Sequence, residues 1–319
     1  FGFSAFFDRV QKKSGRRPGE AVIWVRREGK VTRPEGVVLW AVKGQIDPWV
    51  PVTGVLPDAG ERDLREVFAE WLTRPDNPFF ARVAVNRIWA EVMGLGIVDP
   101  VDDFRSSNPP TNPKLLDALA HDFVECGFDR KAMLRRILNS RTYQSSAETR
   151  PLNEKDDHYF SHAKVRRLTA EQLLDAICHV TGVAETFASL PAGTAATHLP
   201  APHLGGDFMK AFGQPERKTV CACERSADTN IWQAMHLLNG PLLHRKLADA
   251  DNRFRRGVEA GDSDEKIIRH IYLAAFCRQP SAEELKRTTS YVSATEDRSA
   301  ALEDICWAVL NSKEFLFQH

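Results

Sequence analysis

At 319 residues, 43% of them hydrophobic, the chain is long enough to bury a large core as one domain or two. Lysine plus arginine and aspartate plus glutamate both number 43, so the chain lacks the basic surplus of a dedicated nucleic-acid binder. No apolar run reaches the roughly 18–20 residues of a membrane span, and six cysteines are too few for a small disulfide scaffold.

Residues 1–60 differ in composition from the rest. AVIWV (21–25) and GVVLWAV (36–42) flank a polar REGK turn (27–30), the pattern of two strands joined by a hairpin. KGQIDPWVPVTGVLPDAG (43–60) reads as an irregular connector. Trp24, Trp40 and Trp49 are either the apolar face of a small sheet or a surface on which a sugar ring could stack. The chain opens at FGFSAFF with no legible signal segment, in the manner of the interior of a longer precursor.

From Asp63 onward the period is helical. Leu64, Val67, Phe68, Trp71 and Leu72 follow the i, i+3, i+4, i+7, i+8 template. Asn77 caps a second helix with Pro78 at its first position, and that helix ends at Gly94. Asn112–Pro113 opens a third helix, stopped by Gly127, and Asp129 caps a fourth. Four helices with short links predict antiparallel neighbours in a bundle-like layer. The basic runs RKAMLRR (130–136) and KVRR (164–167) read as solvated faces.

A capping box, Thr169-Ala-Glu-Gln172, predicts a helix to Gly182. Periodicity is then lost over 183–228, a length of loop that is usually functional or partly disordered. Helical patterning returns over Asn230–Leu238, Ser263–Phe276, Ser281–Val292 and Arg298–Leu310, the third with a second capping box, Ser281-Ala-Glu-Glu284. DRKAMLRRILNSRTY (129–143) and DRSAALEDICWAVLNSKEF (297–315) echo one another through Leu-Asn-Ser. That echo fits either a shared way of ending a helix or a duplicated module. The predicted fold is therefore mainly α: a multi-helix, orthogonal or bundle-like body over 61–319, with a sub-boundary near 150–165, and a small β element with its connector over 1–60.

Three constellations carry candidate chemistry. The first is Asp99, Asp102, Asp103 and Arg105 in the loop after the second helix, with Asn86 and Arg87 on that helix. Carboxylates so placed could bind Ca²⁺ or supply an acid–base pair. The favoured reading is an Asp–Arg–Asn network that anchors the loop, a job bidentate Arg–carboxylate bonds suit well. DPVDD does not match the Ca²⁺ loop motif.

The second is Cys221, Cys223, Glu224 and Arg225, with His198 and His203 upstream. Two thiolates and two imidazoles would complete a zinc site. A disulfide, buried thiols or a reactive pair beside Arg225 are the alternatives. The third is His158 and His162, whose i, i+4 spacing would share one face if the stretch is helical, although two ligands make a weak site and exposed histidines are the favoured reading. The other cysteines, 126, 178, 277 and 306, sit in apolar helical patterns where a thiol acts as a small hydrophobe. A nucleophile elbow, a phosphate loop and a dinucleotide fingerprint are absent from the sequence.

Seven strings together carry a family likeness. They are NPFFARVAVNRIW (77–89), GLGIVDPVDDFRSSNPPTNPKLLDALAHDFVECGFD (94–129), ILNSRTYQSS (137–146), RRLTAEQLLDAI (166–177), FGQPERKTVCACERS (212–226), QAMHLLNG (233–240) and LNSKEFLFQH (310–319). The chain from about 60 to 319 resembles the C-terminal domain of unknown function of planctomycete-type, cytochrome c-associated proteins. The resemblance implies an exported or periplasmic helical protein, preceded in its precursor by a haem-binding cytochrome c-like domain and a second uncharacterised domain. It implies no catalytic residues. Cys-x-x-Cys-His is absent, so any haem belongs to an upstream segment and no cofactor is expected in this chain, zinc or calcium remaining the alternatives. Two functions follow as expectations: an auxiliary or interaction module, or an enzyme acting on a complex polysaccharide, redox-coupled to an upstream haem.

Overall fold

The computed structural model describes residues 5–7, 10–16, 21–25, 49–50, 54–55, 62–216 and 231–318. The fold is mainly α, and among the described residues the strands form two-stranded sheets. The chain divides into two compact units, residues 1–85 with 114–133, and residues 86–113 with 134–319.

In the first unit, α1 (Leu64–Leu72) starts where the Asp63 side chain accepts a hydrogen bond from Arg65 N at 2.9 Å. Its Leu64 and Trp71 are buried against Phe6 and Val50, with Phe68 and Leu72 alongside. One carboxamide then ends this helix and begins the next. Asn77 Nδ2 donates to Trp71 O, while Asn77 Oδ1 accepts from Phe79 N and Phe80 N, starting α2 (Phe80–Met93). Helix α3 (Pro113–Glu125) buries Leu116, Leu119, Ala120 and Phe123 at the predicted spacing. Phe128 packs edge-on against both Phe80 and Phe123 as the chain turns toward Asp129, the cap of α4 (Arg130–Leu138).

The second unit is organised around α5 (Ala170–Thr181). Both halves of the Thr169–Gln172 capping box form, and Gly182 closes the helix at φ +74°. Leu173, Leu174, Ile177 and Val180 lie at the centre of a continuous apolar core. That core is completed by α6 (Gly206–Ala211), α7 (Ile231–Asn239), α8 (Pro241–Ala248), α9 (Arg253–Glu259), α10 (Asp264–Phe276), α11 (Ala282–Ala294) and α12 (Arg298–Leu310). A short helix, α13 (Lys313–Leu316), leads to a strand, Phe317–Gln318, which pairs antiparallel with Arg166–Arg167.

The Leu-Asn-Ser echo is repeated atom by atom. Asn139 Nδ2 donates to Arg135 O and Asn311 Nδ2 to Trp307 O, each four residues back. Ser140 Oγ accepts from Tyr143 N, and Ser312 Oγ from Phe315 N. Asp129 and Asp297 cap the two helices in the same way.

Several expectations are corrected. AVIWV is a strand, but its described partner is Val10–Ser14, in the register Val10 to Val25, a polar stretch that propensity passes over. GVVLWAV and most of the connector lie outside the described residues. His158 and His162 share no helix. Asp156 instead folds a turn there, accepting from His158 N, Tyr159 N and Ser161 N. The stretch 183–216 is not featureless, holding two 3₁₀ turns (Ala196–His198 and Pro202–Leu204) and α6. Helices α8 and α9 have only 8 and 7 residues, too few turns for a period to stand out in the sequence. Of the four described cysteines, Cys306 is buried while Cys126 and Cys277 are exposed at helix ends.

Candidate functional site

The loop from Gly94 to Pro113 is built around one buried side chain on α2. Asn86 is fully buried, and its Oδ1 accepts from Val98 N at 2.9 Å. Its Nδ2 donates to Val98 O at 2.9 Å and to Val101 O at 2.8 Å. Three of its hydrogen-bonding positions are therefore spent on loop backbone, in a place where an unpaired amide is costly.

Outside that core contact the charges pair locally. Arg87 meets Asp102 through two parallel bonds of 2.7 and 2.8 Å. Arg105 meets Asp103 in the same bidentate manner and holds the Asp103 carboxyl below the usual carboxylate range. Asn108 Nδ2 donates to Asp99 O and Asp103 O, and Thr111 donates twice to Ile97 O. The Asp99–Pro100 peptide is cis. Asp99 itself is exposed.

Gly96 explains the compactness of this turn. A Cβ there would lie 2.2 Å from Val98 O and 3.2 Å from Asn86 Nδ2. Only the absence of a side chain lets the backbone fold back on itself so closely.

Two arginines from the run before α5 had no functional reading in the sequence. Arg166 donates to Glu91 O and Val92 O, satisfying the last carbonyls of α2, and its half-burial pushes the guanidinium pKa down. Arg167 hydrogen-bonds Gln233 Oε1 and lies 5.6 Å over the Phe212 ring, while Gln233 Nε2 donates to Ala211 O. The second pair fixes the inner face of α7.

The second predicted constellation is not assembled in the described part. Cys221, Cys223, Glu224 and Arg225 lie outside the described residues, as does the side chain of His203, and His198 is exposed on its 3₁₀ turn. Among the described residues, the group with metal-ligand proximity is His121, Asp122 and Glu125 on α3, whose ligating atoms lie within 4.8 Å of one another on an open face. The i, i+1, i+4 spacing of His-Asp-x-x-Glu was legible in the sequence.

The outer face of α7 is apolar and uncovered. Ile231, Trp232, Met235 and Leu238 are all at least half exposed, and their i, i+1, i+4, i+7 spacing places them together. Gln233 and Leu237 hold the opposite face inside. Isolated exposed hydrophobics are ordinary, whereas four in one contiguous helical patch are not.

The chain is thus mainly α, with capped helices in both units and, in the second, a tied polar loop and an exposed apolar helix face. The chain belongs to the PSD1 family of proteins of unknown function (DUF1553), whose model matches residues 64–292. No curated protein and no solved structure matches it.

Proposed function

We propose that this chain is an auxiliary, partner-binding module of an exported multidomain protein, docking a cytochrome c-like or second uncharacterised domain of the same precursor through the outer face of α7. The observation that carries this reading is the exposed row of Ile231, Trp232, Met235 and Leu238, on a helix whose other face is fixed by Gln233 and Leu237. Aromatic and methionine side chains are the residue types that anchor protein contacts. The pairing within the polar loop supports it further, because Asn86, Arg87, Asp102, Asp103 and Arg105 each bond to partners in the loop and α2.

Calorimetric titration of the chain with the cytochrome c-like segment, produced separately, tests the reading. Saturable binding weakened at least about tenfold by Trp232→Glu is the expected result. No heat of binding, or equal binding by the variant, overturns it.

A further inference from the structure

A cavity of about 310 Å³ lies among α5, α6, α7 and the start of α8 in the second unit. Its inner wall is apolar, with Leu174, Phe187 and Phe208 all nearly inaccessible. Its polar wall is organised by one carboxylate that two cations share. Arg245 Nη2 donates to both oxygens of Glu185, at 2.9 and 3.0 Å. Lys246 Nζ lies 3.1 Å from the same carboxylate and donates to Val183 O at 3.0 Å.

Asp207 also lines the cavity and lies 3.8 Å from Lys210, so Glu185 and Asp207 together face Arg245, Lys246 and Lys210, a surplus of one positive charge. Lys246 is buried and has no freedom to carry its charge into water, and a cation so placed is stabilised by anionic company. Among the described residues, Arg245 Nε and Nη1 hold no hydrogen bond, so the guanidinium keeps single donors on either side of its bond to Glu185 for an anionic oxygen. The N-terminal end of α8 reinforces the sign. Its cap residue, Gly240, offers no side-chain acceptor, and Pro241 and Leu242 line the cavity. The partial positive charge of a helix N-terminus therefore faces the same space. A Cβ on Gly240 would sit 2.1 Å from His236 O, so this uncapped start is fixed by the close approach of α7 and α8.

We propose that this cavity binds a small organic acid with an apolar body, its carboxylate received by Arg245 and its body lying against Phe187 and Phe208. The volume is at the lower end for ligand pockets and suits a small molecule. Apolar lining with a few convergent polar groups is the general composition of such sites.

Benzoate is a probe of suitable size and charge, with benzamide as its neutral counterpart, titrated into the chain by calorimetry. The expected result is saturable benzoate binding, at least about tenfold weaker for benzamide and for Arg245→Met. Trp232→Glu, on the outer face of α7, leaves it unchanged. If circular dichroism shows Arg245→Met to be unfolded, Leu242→Trp, which fills the cavity mouth, takes its place with the same expected loss. No benzoate binding at millimolar concentration, equal binding of benzamide, or unaltered binding in a folded variant overturns the proposal.

Discussion

The Asn86 carboxamide grips the backbone of Val98 at both its N–H and its C=O, each at 2.9 Å. A side chain thus supplies a rung of the kind strands exchange between backbones, and it fastens the start of the polar loop to α2. Removing it leaves Val98 N, Val98 O and Val101 O without partners in a buried place. Asn86→Ala is expected to lower stability by about 2–4 kcal/mol. Urea unfolding checks this, and a loss within error would show that water replaces the carboxamide freely.

Arg87 and Asp102 give the contrasting case. Their bidentate pair is well aligned, but both side chains are at least a third exposed. A double-mutant cycle of Arg87→Met and Asp102→Asn is expected to give a coupling below about 1 kcal/mol. A coupling as large as the Asn86 loss would move the weight of the loop from the buried amide to the ion pair.

Gly96→Ala places a methyl group 2.2 Å from Val98 O. Backbone cannot yield as a flexible side chain would, so a loss of about 1–3 kcal/mol is expected, seen as a lower melting temperature. An unchanged melting temperature would contradict the close approach.

The architecture was legible where local chemistry decides it and illegible where distance does. Both capping boxes, the Asn77 and Asp129 caps and the faces of α3 and α5 follow from residues within one turn of each other. Arg166 on the last carbonyls of α2 joins residues more than 70 positions apart, and no local pattern encodes it. Val10–Ser14 pairs as a strand despite two lysines, because its partner supplies the apolar side. In the polar loop the residue types pointed first to anchoring and second to chemistry, and the three bonds of the Asn86 carboxamide to loop backbone are an anchor that no residue type announces.

Arg278 holds Glu284 and Glu314 together, with two bonds to each carboxylate, and the Glu284 pKa falls from the ordinary 4.5 to about 2. The Arg278 hydrogen bond is the main cause, followed by that from Ser281 N. A depressed carboxylate contributes stability that is present above its unfolded pKa and is lost as pH falls through its folded one. Stability is therefore expected to decline between about pH 4.5 and pH 2. Glu284→Gln keeps the capping box and flattens that part of the curve. An identical acid profile in the variant would remove Glu284 as a source of the decline.

Cys306 is fully buried in α12, and burial pushes its thiol up to about 12, whereas Cys126 and Cys277 are exposed. Alkylation of the native protein with peptide mapping is expected to label Cys126 and Cys277 and to spare Cys306 until denaturant is added. Labelling of Cys306 at the rate of Cys126 would contradict the packing around it.

Hydrogen exchange on the multidomain precursor proposed above, compared with this chain alone, tests the contact-module reading most directly. The account predicts added protection in the precursor over Ile231–Asn239, with residues 94–113 exchanging alike in both. Protection appearing over 94–113 while α7 exchanges unchanged would contradict it.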